Sequence, residues 1–194
     1  MSFIQQLHCL IARAEKALDI SSLKSGALRV FVQTVLKAQR RAKEIENQLR
    51  KKHGDEFFTS GPGPLIWTEL TDKHCANQQF EDLKILKNVR VVHFTDSDPL
   101  KLIDAIKKGK FRGCQGKNMS GTRNPENPPC VKGPLGFGFT LKEAKNYVND
   151  YGKYAISFIA DEAIQALHYT DSEIQVIWDS RYVRDLKVAH EFSS

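Results

Sequence analysis

The stretch Val89 to Phe111, VRVVHFTDSDPLKLIDAIKKGKF, decides how the chain is read. Val89–Phe94 is a short apolar, β-branched run of strand type. Asp98 then stands where a helix N-cap belongs, and Pro99 suits the first helical position. Leu100, Leu102, Ile103 and Ile106 recur at helical spacing, which predicts that they face inward before Gly109 ends the helix. A strand, a tight turn and a helix are expected, with His93 and Thr95 delivered to the strand's end. An imidazole there is either a hydrogen-bonded core residue or a group that holds a ligand.

The arrangement recurs downstream. After a polar loop from Arg112 to Gly133, the run GPLGFGFTLKEAKNYVNDYGKYAISFIADEAIQAL alternates glycine with apolar residues and then places Thr140 three residues before Glu143, a capping box. The spacing predicts a helix from there to Gly152, with Tyr147 on an apolar stripe beside Ala144, Val148 and Tyr151. YAISFIA reads as a buried strand and DEAIQALHY as a short helix. SEIQVIWDSRYVRDLKVAHEF then gives two strands around a turn at Asp179 and Ser180. The body is therefore expected to be α+β.

Upstream, FIQQLHCLIARAEKAL carries an apolar stripe of Phe3, Leu7, Leu10, Ile11, Ala14 and Leu18. A second helix is predicted from Ser25 to Gly54, with Val32, Val35, Leu36, Ile45 and Leu49 as its interrupted apolar face. Its second half, 37–53, is strongly basic, which fits either a solvated face or docking to an acidic partner, a phosphate backbone or an anionic membrane. TSGPGPL, Thr59 to Leu65, punctuates the chain, so a helical basic segment over 1–58 and a domain over 65–194 are expected.

Composition narrows the class. The 194 residues are 41% hydrophobic and 27% charged, a globular balance, and the formal charge is +6. Residues 1–56 hold 11 Lys and Arg against 6 Asp and Glu, while the rest hold 18 against 17. A nearly neutral body argues against a domain-wide nucleic-acid footprint. No apolar run is long enough to span a bilayer and no signal-peptide pattern opens the chain, so a soluble protein made in a cytosol is expected. Cys9, Cys75, Cys114 and Cys130 share no ligand spacing and are read as free thiols, with no metal site.

Taken in order, a strand ending in HFT, a helix, a variable loop, GFGFT leading to AKNY, a strand, and SEIQV before a last hairpin resemble the ADP-ribosyltransferase family. The likeness is to its His, Tyr, Glu branch, that of diphtheria toxin and the poly(ADP-ribose) polymerases, and it covers about half the chain, Val89 to Phe192. It implies a split β-sandwich core. HFT is similar to the family's HGT or HGS, which implies that His93 holds an NAD ribose hydroxyl and Thr95, beside Phe94, supports nicotinamide binding. GFGFTLKEAKNY is similar to GxGIYFA followed by ANY, which implies that Tyr147 stacks on nicotinamide and that Gly136 and Gly138 bend past the cofactor. The family's first aromatic falls near Gly138, leaving Phe137 or Phe139 to serve. Glu173 matches the Glu that bonds the nicotinamide-ribose 2′-hydroxyl, and Asp171 stands where other branches carry Glu or Gln.

The resemblance thus implies catalysis by Glu173, His93 and Tyr147 on NAD+ as substrate, with mono-ADP-ribosylation of a protein, in the manner of a bacterial effector or toxin delivered to a host cell without a cleavable signal peptide. Two other readings stay open. One is a non-catalytic module engaging an acidic protein or nucleic acid through the basic helix; the other is an RNA 2′-phosphotransferase-like enzyme.

Overall fold

The computed structural model describes residues 18–53, 80–113, 133–148, 150–168 and 173–192. Of the predicted stripe only Leu18 is described, and it packs against the core; the rest of that stripe, the boundary at 59–65, the loop 114–132, the four cysteines and Asp171 lie outside the described residues. The described elements are helix α1 (Gly26–His53), strand β1 (Phe80–Thr95), helix α2 (Pro99–Lys107), strand β2 (Leu135–Thr140), the single turn α3 (Leu141–Ala144), and strands β3 (Tyr154–His168), β4 (Glu173–Asp179) and β5 (Val183–Val188). The fold is α+β, built on five antiparallel strands in the order β1-β2-β4-β3-β5. β1 also pairs with β3, from Phe80↔His168 to Thr95↔Tyr154, so β1, β2, β4 and β3 close on one another.

Two faces of this closed sheet carry the core. On one, Val91, Ile156, Phe158, Val176 and Trp178 pack with Ile103 and Ile106 of α2 and with Phe111. On the other, Val92, Phe94, Phe139, Ala155 and Phe192 form one cluster. Beside it Leu28, Phe31, Val32, Val35 and Leu36 of α1 pack on Leu135, Ile164 and Ile177. The first half of α1 is thus a layer of the same core as the strands.

The start signals behave as read. Asp98 accepts from the amides of Leu100 and Lys101, Pro99 opens α2, and Gly109 ends it at φ 65°. Ser25 caps α1, its hydroxyl accepting from Leu28 N at 3.0 Å. Three expectations fail. DEAIQALHY is not a helix: its residues to His168 continue β3, because Ile164 and Gln165 pair with β1 on one side and β4 on the other. Ladders on both edges outweigh the helical preference of Ala, Glu, Gln and Leu. The helix after Thr140 lasts one turn. Leu100 is exposed; its place in the first turn of α2 turns it away from the sheet, and Ile103 and Ile106 supply the buried contact.

Candidate functional site

Glu173 opens β4 and is half-buried. Its Oε2 accepts a hydrogen bond from the Tyr151 hydroxyl, and Gln175 Nε2 lies 3.4 Å from the same oxygen. The Tyr151 ring is held among Phe139 at 5.1 Å, Tyr147 at 5.6 Å, Phe137 at 6.3 Å and Phe94 at 6.5 Å between centroids. Tyr147 stacks on Phe139 at 4.5 Å and 29°. A carboxylate and a wall of aromatic rings therefore share one face of the sheet, at the end where β4 begins.

Local sequence produces this. Thr140 caps α3 by accepting from Glu143 N, and the chain then turns through Tyr147 N to Ala144 O and Asp150 N to Tyr147 O. These turns fold Tyr147 and Tyr151 back over Phe139. Gly152 makes the next step possible: a Cβ there would lie 2.6 Å from the Thr95 carbonyl carbon, and its φ is 150°. Lys153 N then reaches Asp96 Oδ1 at 3.3 Å, tying the segment to the end of β1.

His93 serves a different contact. Its Nδ1 lies 2.7 Å from the Phe137 carbonyl oxygen, where the β1–β2 ladder has just ended at Val92↔Phe139. A carbonyl only accepts, so Nδ1 carries the proton and donates. The ring meets Trp178 at 5.5 Å, Phe111 at 6.2 Å and Phe137 at 6.3 Å, all edge-on. Burial pushes the imidazole below its ordinary pKa, and the bond to Phe137 only partly opposes this.

His93 and Glu173 leave the sheet on opposite faces. His93 pairs with Ile156, which packs with Val176 and Trp178, whereas Glu173 is an odd number of residues from Val176 and bonds Tyr151 in the other cluster. Phe137 stands between them, touching the His93 ring and the Tyr151 ring alike. Through Tyr151 the structure links Glu173 to the cluster of Tyr147, Phe139 and Phe137; of these three, His93 meets Phe137, from the other face.

The remaining predicted residues have packing partners. A Cβ on Gly136 would lie 2.5 Å from the Trp178 ring, and one on Gly138 2.4 Å from the Val92 carbonyl oxygen, so both glycines let β2 lie close to its neighbours. Phe94 is buried among Phe139, Tyr151 and Phe192. Thr95 Oγ1 accepts from Ser97 N at 3.0 Å, closing the turn into α2. Among the described residues, no group of three or more His, Cys, Asp or Glu could hold a metal ion, and no helix is long and apolar enough to cross a membrane.

Sequence reading missed the hydroxyl of Tyr151 and the amide of Gln175. In the sequence Tyr151 is a member of an apolar stripe, and its signal is the polar tip it adds to that stripe. Sequence reading also missed a buried polar node at the start of α1. Glu162, in β3, accepts from Ser25 N at 2.6 Å, Lys24 N at 3.0 Å and Lys87 Nζ at 3.1 Å. Asp179, at the end of β4, accepts from Ser25 Oγ at 2.5 Å and from Arg181 Nε and Nη2 at 3.0 and 2.7 Å. A charged residue inside an apolar run was the available signal, but Asp161 and Glu162 also resemble a helix start. Compared with protein-family models, curated proteins and solved structures, the chain matches none.

Proposed function

We propose that the chain is an NAD-dependent mono-ADP-ribosyltransferase with a split β-sandwich core, modifying a protein acceptor. The observation that supports this reading is the bond from the Tyr151 hydroxyl to the Glu173 carboxylate, which puts that carboxylate at the edge of the aromatic cluster of Tyr151, Tyr147 and Phe139 on one face of the sheet. Nicotinamide is a flat, cationic ring in NAD+, and an aromatic wall suits it through stacking and cation–π attraction.

The chemistry follows from charge. The bond from ribose C1′ to the nicotinamide nitrogen breaks, its electron pair leaves with nicotinamide, and positive charge develops on the ribose. A fixed carboxylate close to that ribose stabilises charge that exists only in the transition state. The acceptor nucleophile then bonds C1′ and gives up its proton. Glu173 is the catalytic residue in this scheme, and the partly exposed Tyr147 and Phe137 form the binding wall, backed by the buried Phe139. His93 acts from behind the wall, fixing β2 through the Phe137 carbonyl.

The acceptor side of the reaction has its own candidate. The core contacts of α1 among the described residues stop at Leu36, and Lys37, Lys51 and Lys52 beyond it are exposed. This basic half of the helix suits an acidic surface on the protein to be modified.

Release of nicotinamide from NAD+ by the wild type and by Glu173→Gln, with NAD+ binding titrated in parallel, tests the reading. Loss of rate by about 10²-fold or more, with binding largely retained, is the result expected of an electrostatic stabiliser. A wild type that releases no nicotinamide, or a variant as fast as the wild type, overturns it.

A further inference from the structure

Both donors that reach Glu173 converge on one of its two oxygens. The Tyr151 hydroxyl and Gln175 Nε2 address Oε2, and among the described residues no hydrogen bond is made to Oε1. A glutamate has three rotatable side-chain bonds, so a half-buried one at a strand start samples several orientations unless something fixes it. Tyr151 is a well-held donor: its ring packs with Phe94, Phe137, Phe139 and Tyr147, which fixes where its hydroxyl oxygen lies.

We infer that Tyr151 is a positioning residue for Glu173: it clamps Oε2, with Gln175 assisting, and thereby leaves Oε1 to face a hydroxyl of the bound substrate. The inference rests on the transferase reading for its catalytic consequence, but the clamp itself is a property of the fold. The division of labour is chemically sensible. A carboxylate with both oxygens taken would have no acceptor to offer a ribose hydroxyl, and one with neither held would lose orientation at the moment charge develops. Gln175 supports the same geometry from two residues along β4, on the same side of the strand.

Tyr151→Phe keeps the ring and removes only the hydroxyl. In steady-state release of nicotinamide from NAD+, kcat is expected to fall about tenfold, the scale of a lost hydrogen bond to a charged group, with KM changed less than about twofold. In a Glu173→Gln background the same substitution is expected to add no further loss, because the group it positions is already gone. A Tyr151→Phe enzyme as fast as the wild type, or equal losses in both backgrounds, overturns the inference.

Urea unfolding of the same four proteins tests the clamp without reference to activity. Non-additive shifts in the unfolding midpoint are expected for a bonded pair, and additive shifts overturn it. If the wild type releases no nicotinamide while the unfolding cycle shows coupling, the transferase reading falls and takes the catalytic consequence with it, while the clamp stands. The two failures are thereby distinguishable.

Discussion

Glu162 and Asp179 flank the Ala163↔Trp178 pair that ends the β3–β4 ladder, and both carboxylates bond the same residue, Ser25. Glu162 takes the Ser25 amide and Asp179 takes its hydroxyl, while that hydroxyl accepts from Leu28 N to cap α1. Two carboxylates almost entirely withdrawn from water are thus answered by the positive end of a helix, with Lys87 and Arg181 completing the set. This is why a basic, amphipathic helix joins the sheet at its own first turn. The charged residues that looked like the start of a helix in β3 instead receive the start of α1.

Removing the Ser25 hydroxyl should therefore weaken more than a cap. Ser25→Ala takes away the N-cap, worth about 1 kcal/mol, and leaves Asp179 one donor short in a buried place, a further ~1–3 kcal/mol. Urea unfolding is expected to show a lower midpoint with an unchanged slope. A midpoint equal to that of the wild type would mean that water replaces the hydroxyl.

Acid should release the node. Burial opposes ionisation of both carboxyls, but for Glu162 the amides of Ser25 and Lys24 and the Lys87 ammonium outweigh it. For Asp179 the Arg181 guanidinium and the Ser25 hydroxyl do the same, so both groups ionise below their ordinary range. The unfolded chain then takes up protons first as pH falls. The stabilisation is present above roughly pH 4.5, the unfolded range, and is lost as pH drops through the folded values. Thermal midpoints measured from pH 6 to pH 3 should decline below that point, and Glu162→Gln should start lower at pH 6 and decline less.

His93 titrates with the opposite chemistry but the same sign, in a higher window. Its folded pKa is depressed, so below about pH 6.5 the unfolded chain binds the proton that the half-buried imidazole refuses. Stability should fall between pH 7 and pH 5, before the carboxylates respond. His93→Gln, compared over the same interval, should show a smaller slope; equal slopes would remove His93 as its source.

The three glycines near the sheet and α2 separate crowding from backbone conformation. Gly138→Ala drives a Cβ against the Val92 carbonyl oxygen and Gly136→Ala against the Trp178 ring, each expected to cost about 1–3 kcal/mol as overpacking. Gly109→Ala meets nothing within 4 Å and pays only for its positive φ, about 1 kcal/mol. Chemical unfolding of the three variants should rank Gly109→Ala as the mildest.

The sequence by itself determined the elements whose signals are local. Asp98, Pro99 and Gly109 bound α2, Ser25 starts α1, and the alternation of glycine and phenylalanine marks β2, because caps, ring constraints and missing side chains act over a few residues. Tertiary structure decided the rest. It made Asp161–His168 a strand, since two neighbouring ladders supply what local propensity does not, and it put the Tyr151 hydroxyl on Glu173. It also sent His93 to the Phe137 carbonyl on the face away from Glu173. Side chains alternate across a strand, so register and strand order settle which residues meet, and those depend on partners that are distant along the chain.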